Sequence, residues 1–200
     1  MNEFPTTLSE DVVWLEGSSL SESAKPYFES LVEKNFRVQL GITENDVMQL
    51  GTISLQPSIR EYCPKDCTDR FKDIPTARRW QQKGRVTFLL KDMNGVIAGY
   101  GWSGPGMNEH VPGATLTGAL RISEPYQGRG LATPFLAVIL AYAHMSWPTS
   151  TLWFEAWQSN ASAFHIYKKL GFEVVDSAPS TRPSADGNTV EDTRLFMRLS

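Results

Sequence analysis

Cysteine is almost absent from this chain: Cys63 and Cys67 are the only two among 200 residues. A structural zinc site needs four ligands, and no second Cys pair or suitably spaced His accompanies these two, so no metal centre is expected. A redox pair usually has a two-residue spacer rather than the three found here, so two free thiols in a reducing, cytoplasmic compartment are the expectation. Histidine is as scarce, with His110, His144 and His165 scattered too widely to suggest a nucleophilic triad. The longest nearly apolar run, 131–143, is too short to span a bilayer, so no membrane partner is expected. The first ten residues lack a basic stretch followed by an apolar one, the pattern of a secretory leader. An excess of positive charge is missing too: Lys and Arg number 19 against 22 Asp and Glu, a net charge of −3. That balance argues against nucleic acid as a partner. The basic spots that exist, Arg78-Arg79 with Lys83 and Arg85, and Lys168-Lys169, have the character of solvated helix faces.

What the chain does contain suits one globular domain over 1–200, with 41% hydrophobic and 20% charged residues. A short strand is expected at 12–15. Tyr27, Phe28, Leu31, Val32 and Phe36 recur at helical spacing, which predicts a helix over 21–40 stopped by Gly41. A second helix is expected near 44–50 and a third near 75–83, with Pro75 in its first turn. Between 51 and 76 the periodicity is weak. From residue 85 the pattern becomes β: strands at 85–90 and 96–102 joined by a hairpin turn at 92–95, then 114–122. An apolar helix follows over 130–146, a strand over 151–157, a helix over 160–170 closed by Gly171, and a strand over 172–175. The Pro-, Ser- and Gly-rich stretch 177–192 has the composition of a long loop, and 193–199 that of a final strand. This order implies an α/β domain with helices packed on a mixed sheet.

Gly99-Tyr-Gly-Trp-Ser-Gly104 matches the dinucleotide-binding fingerprint letter by letter. That fingerprint must open a helix, and Pro105-Gly106 forbids one, so the match is rejected. A different stretch carries chemistry. Residues 122–136 join a strand pattern to a helix pattern through Gln127-Gly-Arg-Gly-Leu-Ala132. The main-chain N–H groups of Gly128, Arg129, Gly130, Leu131 and Ala132 then stand at a helix N-terminus, where unpaired donors and a partial positive charge suit a phosphate. Taken alone, the turn is equally an ordinary strand-to-helix loop.

The later stretch Asn160-Ala-Ser-Ala-Phe-His-Ile-Tyr-Lys-Lys-Leu-Gly-Phe172 changes its meaning. Gln127-Gly-Arg-Gly-Leu-Ala132 followed by Asn160, Ala163, Tyr167, Lys169 and Gly171-Phe172 resembles the GNAT superfamily of acetyl-CoA-dependent N-acetyltransferases. The match spans about 85–175. It implies a mixed, mostly antiparallel central sheet of about six to seven strands flanked by helices and splayed between 114–122 and 151–157. Residues 1–84 would supply acceptor-side helices, 85–175 the acetyl-CoA-binding core, and 176–200 a loop and last strand. The resemblance further implies that Gly128 to Thr133 cradle the pyrophosphate of acetyl-CoA, with Gln127 at the head of the loop. Leu120, Arg121 and Ile122 would meet the pantetheine arm and acetyl carbonyl, and Asn160 the pantetheine amides. Tyr167 would act as the acid toward the departing thiolate.

Glu155 is the candidate base. Strand alternation puts it on one face with Trp153 and Trp157, where indole neighbours would partly desolvate it and raise its pKa. A similar branch, the ribosomal-protein alanine N-acetyltransferases, uses a glutamate five residues before the motif asparagine. Glu109 and His110 are candidates for the acceptor groove, and acidic residues Asp186, Glu191 and Asp192 would suit a cationic acceptor. The expected partners are acetyl-CoA, as co-substrate, and an amine, with a homodimer left open. The alternative function is an acyl-CoA-binding sensor or partner module that performs no chemistry.

Overall fold

A computed structural model describes Leu8 and residues 12–184 and 186–199. The stretch inspected for a leader, 1–10, lies outside the described residues apart from Leu8. One eight-stranded sheet runs in the order β1-β2-β3-β4-β5-β6-β8-β7. Its strands are β1 Val13–Trp14, β2 Phe36–Leu40, β3 Val86–Asp92, β4 Ile97–Pro105, β5 Leu116–Ile122, β6 Leu152–Trp157, β7 Phe172–Pro183 and β8 Thr189–Leu199. Every neighbouring pair is antiparallel except β5 and β6. The sheet is therefore the mixed, mostly antiparallel one expected, with eight strands rather than six or seven. Among the described residues, no helix is long and apolar enough to cross a membrane.

Two layers of helices cover the sheet. Helices α1 Lys25–Glu33, α5 Ala132–Ser146 and α6 Ala161–Lys169 share one core with Phe88, Leu90, Leu116 and Phe154. Helices α2 Glu44–Ser54, α3 Pro57–Tyr62 and α4 Ile74–Gln81, with a π-type turn at Asp66–Arg70, share the other with Leu89, Tyr100, Trp102 and Ala119. Opposite Leu90 and Lys91, β4 supplies Ile97 to Gly99, a bulge at Ala98 that shifts the side-chain alternation. Because of it, Tyr100 and Trp102 face the same way as Ile97.

Three local expectations change. The helix expected over 21–40 ends at Glu33, and the chain turns at Asn35 with φ +64° into β2. Phe36 fits the helical spacing, but Phe36, Val38 and Leu40 also alternate, and the strand buries all three. The stretch 177–192 is mostly not loop: β7 and β8 stay in register out to Pro183↔Thr189. Pro179 and Pro183 signal a loop in sequence, yet β7 is the sheet's last strand, and an edge strand tolerates proline. The weakly periodic stretch 51–76 holds the end of α2, all of α3 and the π-type turn, each too short to show a period.

The rejected fingerprint lies wholly inside β4. Its glycines serve packing: a Cβ on Gly101 would stand 2.8 Å from the Ala119 carbonyl oxygen and 2.5 Å from Ile139 Cδ1.

Candidate active site

Strands β5 and β6 share two register pairs, Leu116↔Leu152 and Thr117↔Trp153, and then part. Beyond that point β5 stays paired with β4 on one side, and β6 with β8 on the other. Alternate N–H groups of a strand point to opposite neighbours. Ser123 N–H donates to Ala98 of β4, and Leu116 N–H donates to Thr151 beside β6. The N–H groups of Leu120 and Ile122 therefore face the splay, where no strand accepts them. The splay opens into a cleft of about 890 Å³. Its lining includes Leu120, Arg121, Ile122, Gln127, Gly128, Gly130, Leu131, Ala132, Thr133, Glu155, Asn160 and Tyr167, twelve of the thirteen residues singled out above. The thirteenth, Arg129, does not line it, and its guanidinium lies 5.0 Å from the Tyr126 ring centroid.

At one end of the cleft is the turn into α5. Gly128 and Gly130 have φ of +74° and +68°, the left-handed region that glycine enters without strain. A Cβ on Gly128 would meet nothing within 4 Å, so that side of the turn is open. Among the described residues, none accepts a hydrogen bond from the N–H groups of residues 128–133. On the other side the turn is fastened. Lys34 Nζ, just past α1, donates to the carbonyls of Arg129 (3.1 Å) and Gly130 (3.4 Å). Trans peptide units point C=O and N–H oppositely, so holding these two carbonyls turns the N–H groups of Gly130 and Leu131 the other way. Gln127 Nε2 donates to the Ile122 carbonyl (2.9 Å) and to Ser58 Oγ (3.1 Å), joining the turn to β5 and α3.

Asn160 caps α6, its Oδ1 accepting from Ala163 N–H at 3.1 Å, which leaves its amide NH₂ unused by the cap. Tyr167 is buried against Phe154 and Phe172. Burial pushes its pKa up to about 12, against the pull of nearby Arg121. The phenol is therefore protonated at neutral pH.

Glu155 corrects its expectation. It does share a face with Trp153 and Trp157, but both indoles donate elsewhere, to the Gly106 and Tyr62 carbonyls. The Glu155 side chain is 46% exposed and accepts from Arg194 at 3.0 Å, so the group that engages it is a cation rather than an indole. Arg194 in turn lies 4.5 Å from the Trp157 ring centroid.

The other end of the cleft was not foreseen. Asp66, in the π-type turn, is fully buried and accepts from Tyr100 OH at 2.7 Å, from Arg121 Nε at 3.1 Å and from Arg70. Arg121 NH1 also donates to the Leu120 carbonyl at 2.6 Å. Burial works against the Arg121 charge, but Cys63 and Asp66 outweigh it and raise its pKa. Cys63 lines the cleft as a thiol, with burial pushing its pKa up to about 12. Arg70 and Arg85 both lie over the Trp102 ring, at 5.1 and 4.8 Å. Arg85, expected on a solvated helix face, instead directly precedes β3 and lines the cleft. Only Trp102 and Arg85 within a β pattern hinted at this cluster, since Asp66 and Arg70 arrive from a segment without period.

Glu109 and His110 line a second, more open hollow of about 500 Å³ that meets the cleft at Glu155 and Arg194. His110 stacks on Phe196 and shares a 2.7 Å hydrogen bond with Asp176. Asp192 is engaged by Arg182 and Ser159, and Asp186 by Asn188, so neither is a free lure for a cationic acceptor. Lys168, Lys169, His144 and His165 are exposed and line neither space. Among the described residues, no group of His, Cys, Asp or Glu is placed to hold a metal ion.

Solved structures share this fold. Spermidine N-acetyltransferase from Vibrio cholerae, solved with CoA and spermine, has a TM-score of 0.65 at 14% identity, covering 82% of this chain and 96% of that one. A GNAT superfamily phosphinothricin acetyltransferase from Sinorhizobium meliloti, solved with AcCoA, has 0.64 at 13%, covering 83% and 89%. Ribosomal-protein-alanine N-acetyltransferase from Brucella melitensis has 0.59 at 18%, covering 78% and 94%. At these identities the likeness speaks for the fold alone. No curated protein matches the chain. The family model described as an acetyltransferase (GNAT) domain matches residues 19–173. Splayed sheet, glycine turn and matched sequence agree, and the chain belongs to the GNAT acetyltransferase family.

Proposed function

We propose that this protein moves an acetyl group from acetyl-CoA directly to a primary amine. The observation that carries the reading is a set of unused main-chain donors along one cleft, at Leu120 and Ile122 in the splay and at residues 128 and 130–133 in the turn. Such a set fits a ligand that is anionic at one end and presents amide and thioester carbonyls toward the other. The open side of Gly128 leaves room for a pyrophosphate against the backbone. Gln127, Leu131, Ala132 and Thr133 complete that end, and the unused NH₂ of Asn160 would donate to a pantetheine carbonyl.

In the proposed reaction the acceptor arrives as an ammonium and first loses a proton to Glu155, directly or through a water; Glu155 passes it on to solvent while Arg194 keeps the carboxylate in place. The nitrogen forms a bond to the acetyl carbon, and the oxygen that gains charge is held by a splay N–H of Leu120 or Ile122. The nitrogen gives its second proton to the emptied Glu155, and collapse breaks the C–S bond and releases the thiolate beside Tyr167. With its pKa near 12, Tyr167 is a weaker acid than an alkyl thiol of pKa about 8.5, a gap of about 3.5 units or ~5 kcal/mol. It therefore serves as a hydrogen-bond donor to the thiolate, and the two protons that leave the nitrogen, passed to solvent, balance the charge.

The three structural neighbours are named for different acceptors, spermidine, a ribosomal-protein alanine and phosphinothricin. Their shared fold supports the donor, and the acceptor has to be argued from this chain. The test is CoA release from acetyl-CoA over peptide N-termini, lysine, polyamines, aminoglycosides and amino acids. Turnover that falls in both Tyr167→Phe and Glu155→Gln supports the roles given. Turnover that survives both within a few-fold contradicts the mechanism. Tight acetyl-CoA binding with no product from any amine would instead favour a non-catalytic acyl-CoA sensor.

A further inference from the structure

The cleft end farthest from the glycine turn has donors and positive charge without acceptors to match. Arg85 Nε, Arg85 NH1 and the Trp102 indole Nε1 are each buried with no hydrogen-bond partner in the protein. Arg85 and Trp102 both line the cleft, and the guanidinium lies over the indole ring. A buried polar group without a partner costs free energy, and a buried charge costs more. Arg70, on the same ring, adds a like charge. Burial and then Arg70 push the Arg85 pKa down, which reports the same mismatch.

The nearby carboxylates do not cover the deficit. Four guanidiniums line the cleft: Arg70, Arg85, Arg121 and Arg194. Asp66 is shared by Arg70 and Arg121, and Glu155 pairs with Arg194. Four cations against two carboxylates leave two positive charges unbalanced, and Arg85 has no carboxylate of its own. Gln39, Gln81 and Thr87 also have buried polar atoms without partners, but none of them lines the cleft; Arg194 Nε is unpartnered there too, while its NH1 is held by Glu155.

Position ties this corner to the reaction. Trp102 pairs with Ala119 across β4 and β5. The splay donors at Leu120 and Ile122 follow one and three residues later, roughly 3–10 Å along the strand. Trp102, Ala119 and the Arg121 side chain belong to the sheet face away from α5 and α6. An acceptor entering from that face would place its amine at the splay and its other end on Arg85.

We propose that Arg85, with Arg70 and the Trp102 indole N–H, forms a carboxylate subsite, so that the acceptor is a small amino-acid-like amine with a carboxylate within about 10 Å of its nitrogen. This rests on the acetyl-transfer reading above. A planar carboxylate accepts two parallel hydrogen bonds from a guanidinium fork, and the indole supplies a third donor. A polyamine would bring like charge to the corner and leave its donors unpaired.

The experiment compares amines that differ only in carboxylate against carboxamide: glycine with glycinamide, β-alanine with β-alaninamide, 4-aminobutyrate with 4-aminobutyramide, and spermidine as the cationic control. The expected result is kcat/KM at least about tenfold higher for the carboxylate member of one pair or more. That preference should vanish in Arg85→Gln and weaken in Trp102→Phe, which keeps the ring and removes only its N–H. Melting temperatures of both variants show whether each is folded. Equal rates within every pair, or spermidine as the best acceptor, would overturn the subsite while leaving acetyl transfer intact. If no amine turns over, thermal stabilisation of the CoA-saturated protein by the same pairs decides. Stabilisation specific to carboxylates and lost in Arg85→Gln supports the subsite, and no difference between pair members contradicts it. Failure of acetyl-CoA itself to bind would sink the acetyl-transfer reading instead.

Discussion

The two sides of the splayed sheet are built from different materials. Facing α1, α5 and α6, the core is hydrocarbon and aromatic, and the polar work falls to main-chain N–H groups in the splay and the glycine turn. Facing α2 to α4, the sheet carries buried ionic networks: Asp66 with Arg70, Arg121 and Tyr100, and Asp46 with Lys91 and Gln39. Backbone donors have the same chemistry in every sequence, so a site made of them suits a substrate that does not vary. Side-chain networks change with single substitutions, so the second side is where selectivity for an acceptor can be set. The contrast predicts that the two sides respond differently when broken.

The largest effect is expected on the networked side. Asp66→Ala leaves two buried guanidiniums without their carboxylate, and should cost about 3–5 kcal/mol in denaturant unfolding. A loss below about 1 kcal/mol would mean that the network is incidental to stability. Asp46→Asn orphans one cation, Lys91, and should cost about 3 kcal/mol. It also carries a pH signature. Burial pushes the Asp46 carboxyl up, but hydrogen bonds from Lys91, Thr43 and Gln39 outweigh this and hold its pKa below the ordinary value. Its contribution is therefore complete above the unfolded pKa of about 3.9, and is lost as pH falls through the lower folded value. Stability measured from pH 7 down to 2 should lose that acid-dependent part in Asp46→Asn, and an unchanged profile would refute the assignment.

On the apolar side, effects should fall on function rather than on folding. Tyr167→Phe is expected to lower kcat about 100-fold with little change in the KM for acetyl-CoA. Because the phenol is held near 12, any activity loss between pH 8 and 10 should be the same in wild type and Tyr167→Phe. A basic limb in that range that disappears in the variant would contradict a phenol held so high. The smallest effect is expected from Lys34→Met, which frees the Arg129 and Gly130 carbonyls. Acetyl-CoA affinity should fall about fivefold, one hydrogen bond's worth, with the acceptor preference unchanged. Lys34 is a positioning residue, so Lys34→Arg should restore most of the affinity.

The contrast also explains what the sequence disclosed. The glycine turn, Asn160 and Tyr167 were legible because a backbone cradle requires glycine at positive φ, a cap at a helix start and fixed helical spacing, all local constraints. The splay was expected only through the family resemblance that these motifs carry. Arg85, Arg70 and Trp102 were not, because 15 residues separate Arg70 from Arg85 and 17 separate Arg85 from Trp102. Their meeting depends on the π-type turn and on the bulge at Ala98, and neither has a sequence period. Glu155 was located correctly and its surroundings misjudged: alternation gave the face, but Arg194 comes from β8, its partner in the sheet. The β7–β8 hairpin was hidden by prolines that an edge strand accepts.

The division between donor and acceptor sides is tested most directly by titrating acetyl-CoA into two variants, Gly128→Val and Arg85→Gln, alongside wild type. Gly128→Val places a branched side chain on the open side of the cradle at φ +74° and should weaken binding at least about tenfold. Arg85→Gln should leave acetyl-CoA affinity within about twofold, because its buried donors face the acceptor. A comparable loss in Arg85→Gln would assign that arginine to the donor and contradict the separation of the two sides.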